Sequence, residues 1–180
     1  ASCFASGMAA LTALTRIVKT GEEIIAGDDL YGGTVRLLDR LASHQNIFVH
    51  YVDTTNGDEL RKALTDQTRL ILIETPSNPL FRISDIEELS RIARTAGAYL
   101  AVDNSMLSPV FQRPLNFGAD IVVHSATKFL CGHSDVTAGA LITNDPTLHK
   151  QISFQQNAEG AGLSPFESWL LLRGLKTLAL

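Results

Sequence analysis

The sequence predicts an α/β fold, a mostly parallel sheet flanked by helices, on three observations. Short apolar runs alternate with stretches at helical spacing. Runs such as Leu70-Ile71-Leu72-Ile73 are apolar on both faces, as strands covered on each side by helices must be. Polar or ionisable groups then close successive runs at their carboxyl ends. Strands are expected at Glu23–Ala26, Ile47–Val52, Leu70–Ile73, Tyr99–Val102, Asp120–Val123 and Gly139–Thr143. Helices are expected at Met8–Val18, Val35–Ala42, Glu59–Leu64 and Asp85–Ala96. The last is the clearest: Ser84 reads as its N-cap, Glu87 completes a capping box, and Ile86, Leu89, Ile92, Ala93 and Ala96 share one face before Gly97 ends it.

Composition narrows the function classes. The chain has 180 residues, 45% hydrophobic and 19% charged, enough for a substantial core and too apolar for disorder. The net charge of −4 is mixed along the chain, without the basic stripe that nucleic acid requires or an acidic tail. The apolar runs, about five residues at most (Ala98 to Val102), fall far short of a membrane span. Cys3 and Cys131 are too few for a disulfide framework and lack ligand spacing, so reduced thiols are expected. With no repeat, low-complexity tract or linker, residues 1–180 read as one domain. The chain opens at Ala-Ser-Cys-Phe and stops at Lys176-Thr-Leu-Ala-Leu180 within an apolar helical pattern, so it is expected to be part of a longer protein in which any targeting segment lies elsewhere.

In open α/β sheets ligands bind beyond the carboxyl ends of the strands, so the residues just after each run are the ones to examine. After Leu70–Ile73 comes Glu74-Thr-Pro-Ser-Asn78-Pro, after Tyr99–Val102 comes Asp103-Asn-Ser105, and after Asp120–Val123 comes His124-Ser125-Ala-Thr127-Lys128. Lys128 reads either as a solvated lysine or, among Ser125, Ala126, Thr127 and Phe129, as a buried amine held neutral for attack on a carbonyl. Asp103 is either a turn-forming carboxylate or one that holds a proton on a ring nitrogen. Ser6-Gly7-Met8 opens a helix whose N–H groups either are simply capped or, with the Ser125 and Thr127 hydroxyls, receive a phosphate. Tyr31, in a Gly-rich loop, is either filler or a ring that stacks on a planar cofactor. His124 and His133 are expected to be structural, since no metal-ligand spacing accompanies them, and no Gly-x-Ser-x-Gly elbow marks a serine nucleophile.

The strings SGMAAL, GDDLYGGT, ETPSNP, VDNS and HSATKFLCGHSD, spread over nearly the whole chain, resemble the transsulfuration family of pyridoxal 5'-phosphate (PLP) enzymes. The resemblance implies the aspartate-aminotransferase-like large domain, here without the N-terminal arm and the smaller C-terminal domain that carry further phosphate and substrate contacts. It implies PLP as cofactor, Lys128 as the Schiff-base lysine, Asp103 on the pyridine nitrogen, Tyr31 on the ring face and Asn78 near the phenolic oxygen. Gly7 and Met8, by backbone, and Ser125 and Thr127, by hydroxyl, would bind phosphate. Lys128, Tyr31 and Asp103 would be the catalytic set, with no metal.

Within the family, Gln156–Trp169 and the stretch from Val102 to Phe129 look most like the β-lyase branch of plants and algae, and Gly33 stands where methionine γ-lyases carry a Cys. That branch implies α,β-elimination of L-cystathionine to homocysteine, pyruvate and ammonia in methionine biosynthesis, by a homotetramer in cytoplasm or plastid stroma. The sister lyases, synthases and sulfhydrylases share the same residues and remain alternatives. A noncovalent nucleotide-binding module is disfavoured because no Gly-x-Gly-x-x-Gly turn comes after the first strand.

Overall fold

A computed structural model describes residues 1–180. The strands are β1 (Ser2–Phe4), β2 (Glu23–Gly27), β3 (Phe48–Val52), β4 (Thr68–Glu74), β5 (Tyr99–Asp103), β6 (Ile121–His124) and β7 (Gly139–Ile142). The helices are α1 (Gly7–Thr15), α2 (Gly32–Gln45), α3 (Gly57–Ala63), α4 (Ile86–Thr95), the short α5 (Ser108–Phe111), α6 (Pro146–Ala158) and α7 (Pro165–Leu175). The seven strands form one mixed, mostly parallel sheet in the order β1-β7-β6-β5-β4-β2-β3, flanked by helices. No helix is long and apolar enough to cross a membrane.

Packing divides the chain into two compact units. The unit Val18–Asp103 with Pro114–Ile121 holds four parallel strands, β3-β2-β4-β5. β4 and β5 are buried along almost their whole length, whereas β3 exposes most of its residues, as its edge position allows. The core of this unit joins Ile25, Ile71, Ile73, Leu100 and Val102 from the strands to Leu60 of α3 and Ile86, Leu89 and Ile92 of α4.

The N-cap of α4 is Asp85, whose carboxylate accepts from Glu88 N at 3.0 Å, rather than Ser84. Ser84 is instead buried, its hydroxyl paired with that of Thr54 at 2.9 Å and its N–H given to Thr75 Oγ1 at 3.0 Å. Gly97 ends the helix at φ +67, with the Ala98 N–H reaching back to the Ala93 carbonyl.

The other unit comprises Ala1–Ile17, Asn104–Arg113 and Val122–Leu180. Its sheet pairs are antiparallel: β1 with β7 and β6 with β7. Helix α1 stops at Thr15, short of the expected Val18, because the Arg16 and Ile17 N–H groups turn to carbonyls three residues back and tighten the last turn. Besides the short α5, two longer helices, α6 and α7, lie beyond those expected. Each begins with an acceptor and a proline: Asp145 before Pro146, and Ser164 before Pro165. A second core packs Leu170 and Leu171 of α7 against Ala126, Leu130 and Cys131 of the turn just after β6.

Candidate active site

In the unit holding α1 and β6, five of the expected residues lie on two adjoining features. Ser6 caps α1, its hydroxyl accepting from Ala9 N at 3.0 Å and its carbonyl from Ala10 N at 3.1 Å. The Gly7 and Met8 N–H groups, at the first two helical positions, have no intrahelical acceptor. Gly7 packs so closely on Ser125 that a Cβ there would meet the Ser125 side chain at 3.0 Å. Gly139 of β7 likewise lies directly on the Ser6 carbonyl, leaving no room for any side chain. Two outward N–H groups, a helix N-terminus and the Ser125 hydroxyl therefore converge, which suits a dianionic phosphate. Thr127 is more engaged than expected: its hydroxyl donates to Ala138 O at 3.1 Å and accepts from Ala138 N at 3.0 Å, so it must turn before it can donate to an anion.

Lys128 departs from the expected burial. It is exposed, because it rides on the turn beyond the end of β6 rather than in the packed layer. The turn itself is well held: Lys128 N donates to Ser125 O at 3.0 Å, Gly132 N to Lys128 O at 2.8 Å, and Cys131 N to Ala126 O at 3.0 Å. From α7, Arg173 grips Asp135 at 2.7 and 2.9 Å, and Gly174 lies against the Cys131 backbone. The Lys128 ammonium makes no ion pair. An exposed amine without an ion pair, carried on a fixed turn, can attack an aldehyde brought within its reach.

His124, at the end of β6, is 4% exposed, and burial pushes its imidazole down to about 4, so it is neutral near pH 7. A cavity of about 470 Å³ in this unit, lined by Cys3, Gln156, Asn157, Gly160, Gly162, Leu163 and Ser168, contains none of the expected site residues.

The parallel-sheet unit carries the other expected residues. Asp103 ends β5 in direct register with Glu74, which ends β4. Tyr31, at the N-cap of α2, is 48% exposed, and its backbone N–H donates to Glu74 Oε2 at 2.8 Å. Asn78, half-buried, belongs to a turn held by Asp29, a near neighbour of Tyr31 in sequence. Asp29 accepts from the Ser77 hydroxyl and from Leu80 N at 3.1 Å, while Arg82 pairs with Asp28 at 3.1 Å. One network thus fixes both the Tyr31 loop and the Asn78 turn.

Glu74 carries no role in the sequence pattern, yet it is 6% exposed and its carboxyl is strongly perturbed. Burial, then the charge of Asp103, push it up to about 7; the Tyr31 N–H opposes them and Asp29 adds to them. Its one signal in the sequence is that an ionisable residue closes an otherwise apolar strand.

Each unit offers donors of its own kind. The α1 cradle and Ser125 suit the phosphate, and an exposed tyrosine ring with a carboxylate suits the face and nitrogen of a protonated pyridine. The chain belongs to the Cys/Met metabolism PLP-dependent enzyme family, whose model matches residues 1–180.

It is 54% identical over 180 residues to the chloroplastic cystathionine beta-lyase of Arabidopsis thaliana, covering 100% of this chain and 39% of that protein. It is 49% identical over 175 residues to cystathionine gamma-lyase of Dictyostelium discoideum, covering 97% and 45%. Among solved structures, cystathionine gamma-lyase from Lactobacillus plantarum complexed with L-serine superposes with a TM-score of 0.97 at 44% identity, covering 99% of this chain and 47% of that one. The chain thus spans less than half the length of these relatives.

Proposed function

We propose that the chain is the PLP-binding part of a carbon–sulfur lyase that carries out α,β-elimination of L-cystathionine, giving homocysteine, pyruvate and ammonia. The observation that carries the lyase reading is the unpaired Lys128 amine on a turn whose Ser125 lies 3.0 Å from the position of a Gly7 Cβ. The β-lyase assignment is supported by the Gln156–Trp169 segment and by the 54% identity to a relative of that name.

When bound, PLP supplies an aldehyde for amines and a cationic ring that withdraws the electrons left at the substrate Cα. The Gly7 and Met8 N–H groups and the Ser125 hydroxyl bind its phosphate, joined by Thr127 once its hydroxyl turns from Ala138. Lys128 Nζ would hold the aldehyde carbon of the cofactor and, as a free amine, would take the proton from the substrate Cα. Asp103 would hold the proton on the ring nitrogen, Tyr31 would cover the ring face, and Asn78 would donate near the phenolic oxygen. Lys128 and the Tyr31 hydroxyl manage the protons that sulfur departure from Cβ requires. The full-length enzyme acts as a homotetramer, in cytoplasm or plastid.

The sister γ-elimination is the second reading, favoured by the likeness to two proteins named cystathionine gamma-lyase. Product analysis separates the two. Given L-cystathionine, the full-length enzyme should release pyruvate and homocysteine; a predominance of 2-oxobutanoate and cysteine would make it a γ-lyase.

A further inference from the structure

Two residues expected at the cofactor ring, Tyr31 and Asp103, share one buried neighbour. Glu74 and Asp103 close adjacent parallel strands in direct register, so their side chains leave the sheet on the same face. The Glu74 carboxylate also accepts the Tyr31 backbone N–H at 2.8 Å, at the point where the Tyr31 loop turns into α2. No cation pairs with it; the charged groups acting on it are Asp103 and Asp29, both acidic.

We propose that Glu74 is a positioning residue for the cofactor ring, seating Tyr31 through its backbone and modulating Asp103 as a second carboxyl beside it. Protonated, Glu74 leaves Asp103 as the sole anion facing the ring nitrogen. Ionised, it adds a like charge that Asp103 must share the site with, which strengthens the hold of the carboxylates on the ring proton. In the cofactor-free fold burial and Asp103 both disfavour the charged form and push this carboxyl up to about 7, and a cationic ring beside it draws that value down. This rests on the proposed site, in which Tyr31 and Asp103 contact the ring.

The test uses the full-length holoenzyme and two variants. Glu74→Gln keeps an acceptor for the Tyr31 N–H and removes the titration; Glu74→Ala removes both. Losing a charge-assisted hydrogen bond of ordinary strength should weaken PLP affinity about tenfold in Glu74→Ala, against about twofold or less in Glu74→Gln. Visible circular dichroism of the bound cofactor, tracked from pH 5 to 8.5 with far-UV spectra as the folding control, should show a pH step in the wild type that Glu74→Gln lacks. Wild-type affinity in a folded Glu74→Ala, or an unchanged pH step in Glu74→Gln, would overturn the proposal. Should Glu74→Ala not fold, the pH step in Glu74→Gln alone decides. A wild-type protein without a visible cofactor band would instead refute the proposed site itself.

Discussion

Replacing Glu74 by Gln and, separately, His124 by Gln should tilt the pH dependence of stability in opposite directions. Glu74 has an ordinary value of 4.5 and is raised to about 7 in the fold, so between these values the folded protein binds more protons than the unfolded chain. Stability therefore falls as pH rises through that window. His124 has an ordinary value of 6.5 and is lowered to about 4, so the unfolded chain binds more protons and stability is lost as pH falls from 6.5 to 4. Each interval corresponds to about 3 kcal/mol at ~1.4 kcal/mol per pH unit. In the wild type the two terms offset each other across most of the range.

Urea unfolding of the cofactor-free protein from pH 4 to 8, referenced to wild type at each pH, isolates each group because the remaining carboxylates are common to both proteins. Glu74→Gln should gain about 3 kcal/mol relative to wild type between pH 4.5 and 8, and His124→Gln should lose a similar amount between pH 4 and 7. Any constant offset from altered packing leaves these slopes intact. Differences that stay flat with pH would refute the buried, perturbed state of either side chain.

The site geometry sets two further outcomes. Asp103→Ala should retain part of the cofactor but slow Cα proton removal by about a hundredfold or more, read as exchange of the Cα hydrogen with solvent deuterium by NMR; near-normal exchange would make Asp103 a turn residue only. Gly139→Ala places a methyl on the Ser6 carbonyl, so the start of α1 must shift. About 1–3 kcal/mol of stability should be lost, together with weaker PLP retention on gel filtration; unchanged retention would detach the α1 N-terminus from phosphate binding.

The features legible in the sequence are those that local pattern determines. The buried strands β4 and β5 and the helix α4 announce themselves by continuous apolar runs and a 3.6-residue stripe, and the polar groups closing those strands supply the candidates for the site. The cap of α4 is misplaced by one residue in the sequence because Ser84 and Asp85 are both good caps, and the choice rests on Ser84 being drawn into the core by Thr54 and Thr75. Antiparallel β1 spans only Ser2–Phe4, too short for any periodicity to register. Lys128 looks buried because its neighbours are small and apolar, but in the turn Ala126 is buried while Lys128 and Phe129 are both exposed. Glu74 escapes a sequence reading because its character depends on the β4–β5 register and on the Tyr31 loop, both of them long-range. The starts of α6 and α7, by contrast, carry plain capping signals, and their helices were there to be read.

The central claim, that this chain holds PLP through Lys128 beside the α1 cradle, is tested most directly by reducing the full-length holoenzyme with borohydride and mapping the labelled peptide by mass spectrometry. The pyridoxyl group should be found on Lys128 alone, and Lys128→Ala should show neither label nor visible cofactor band. A label on any other lysine, or an unchanged band in Lys128→Ala, would contradict the account.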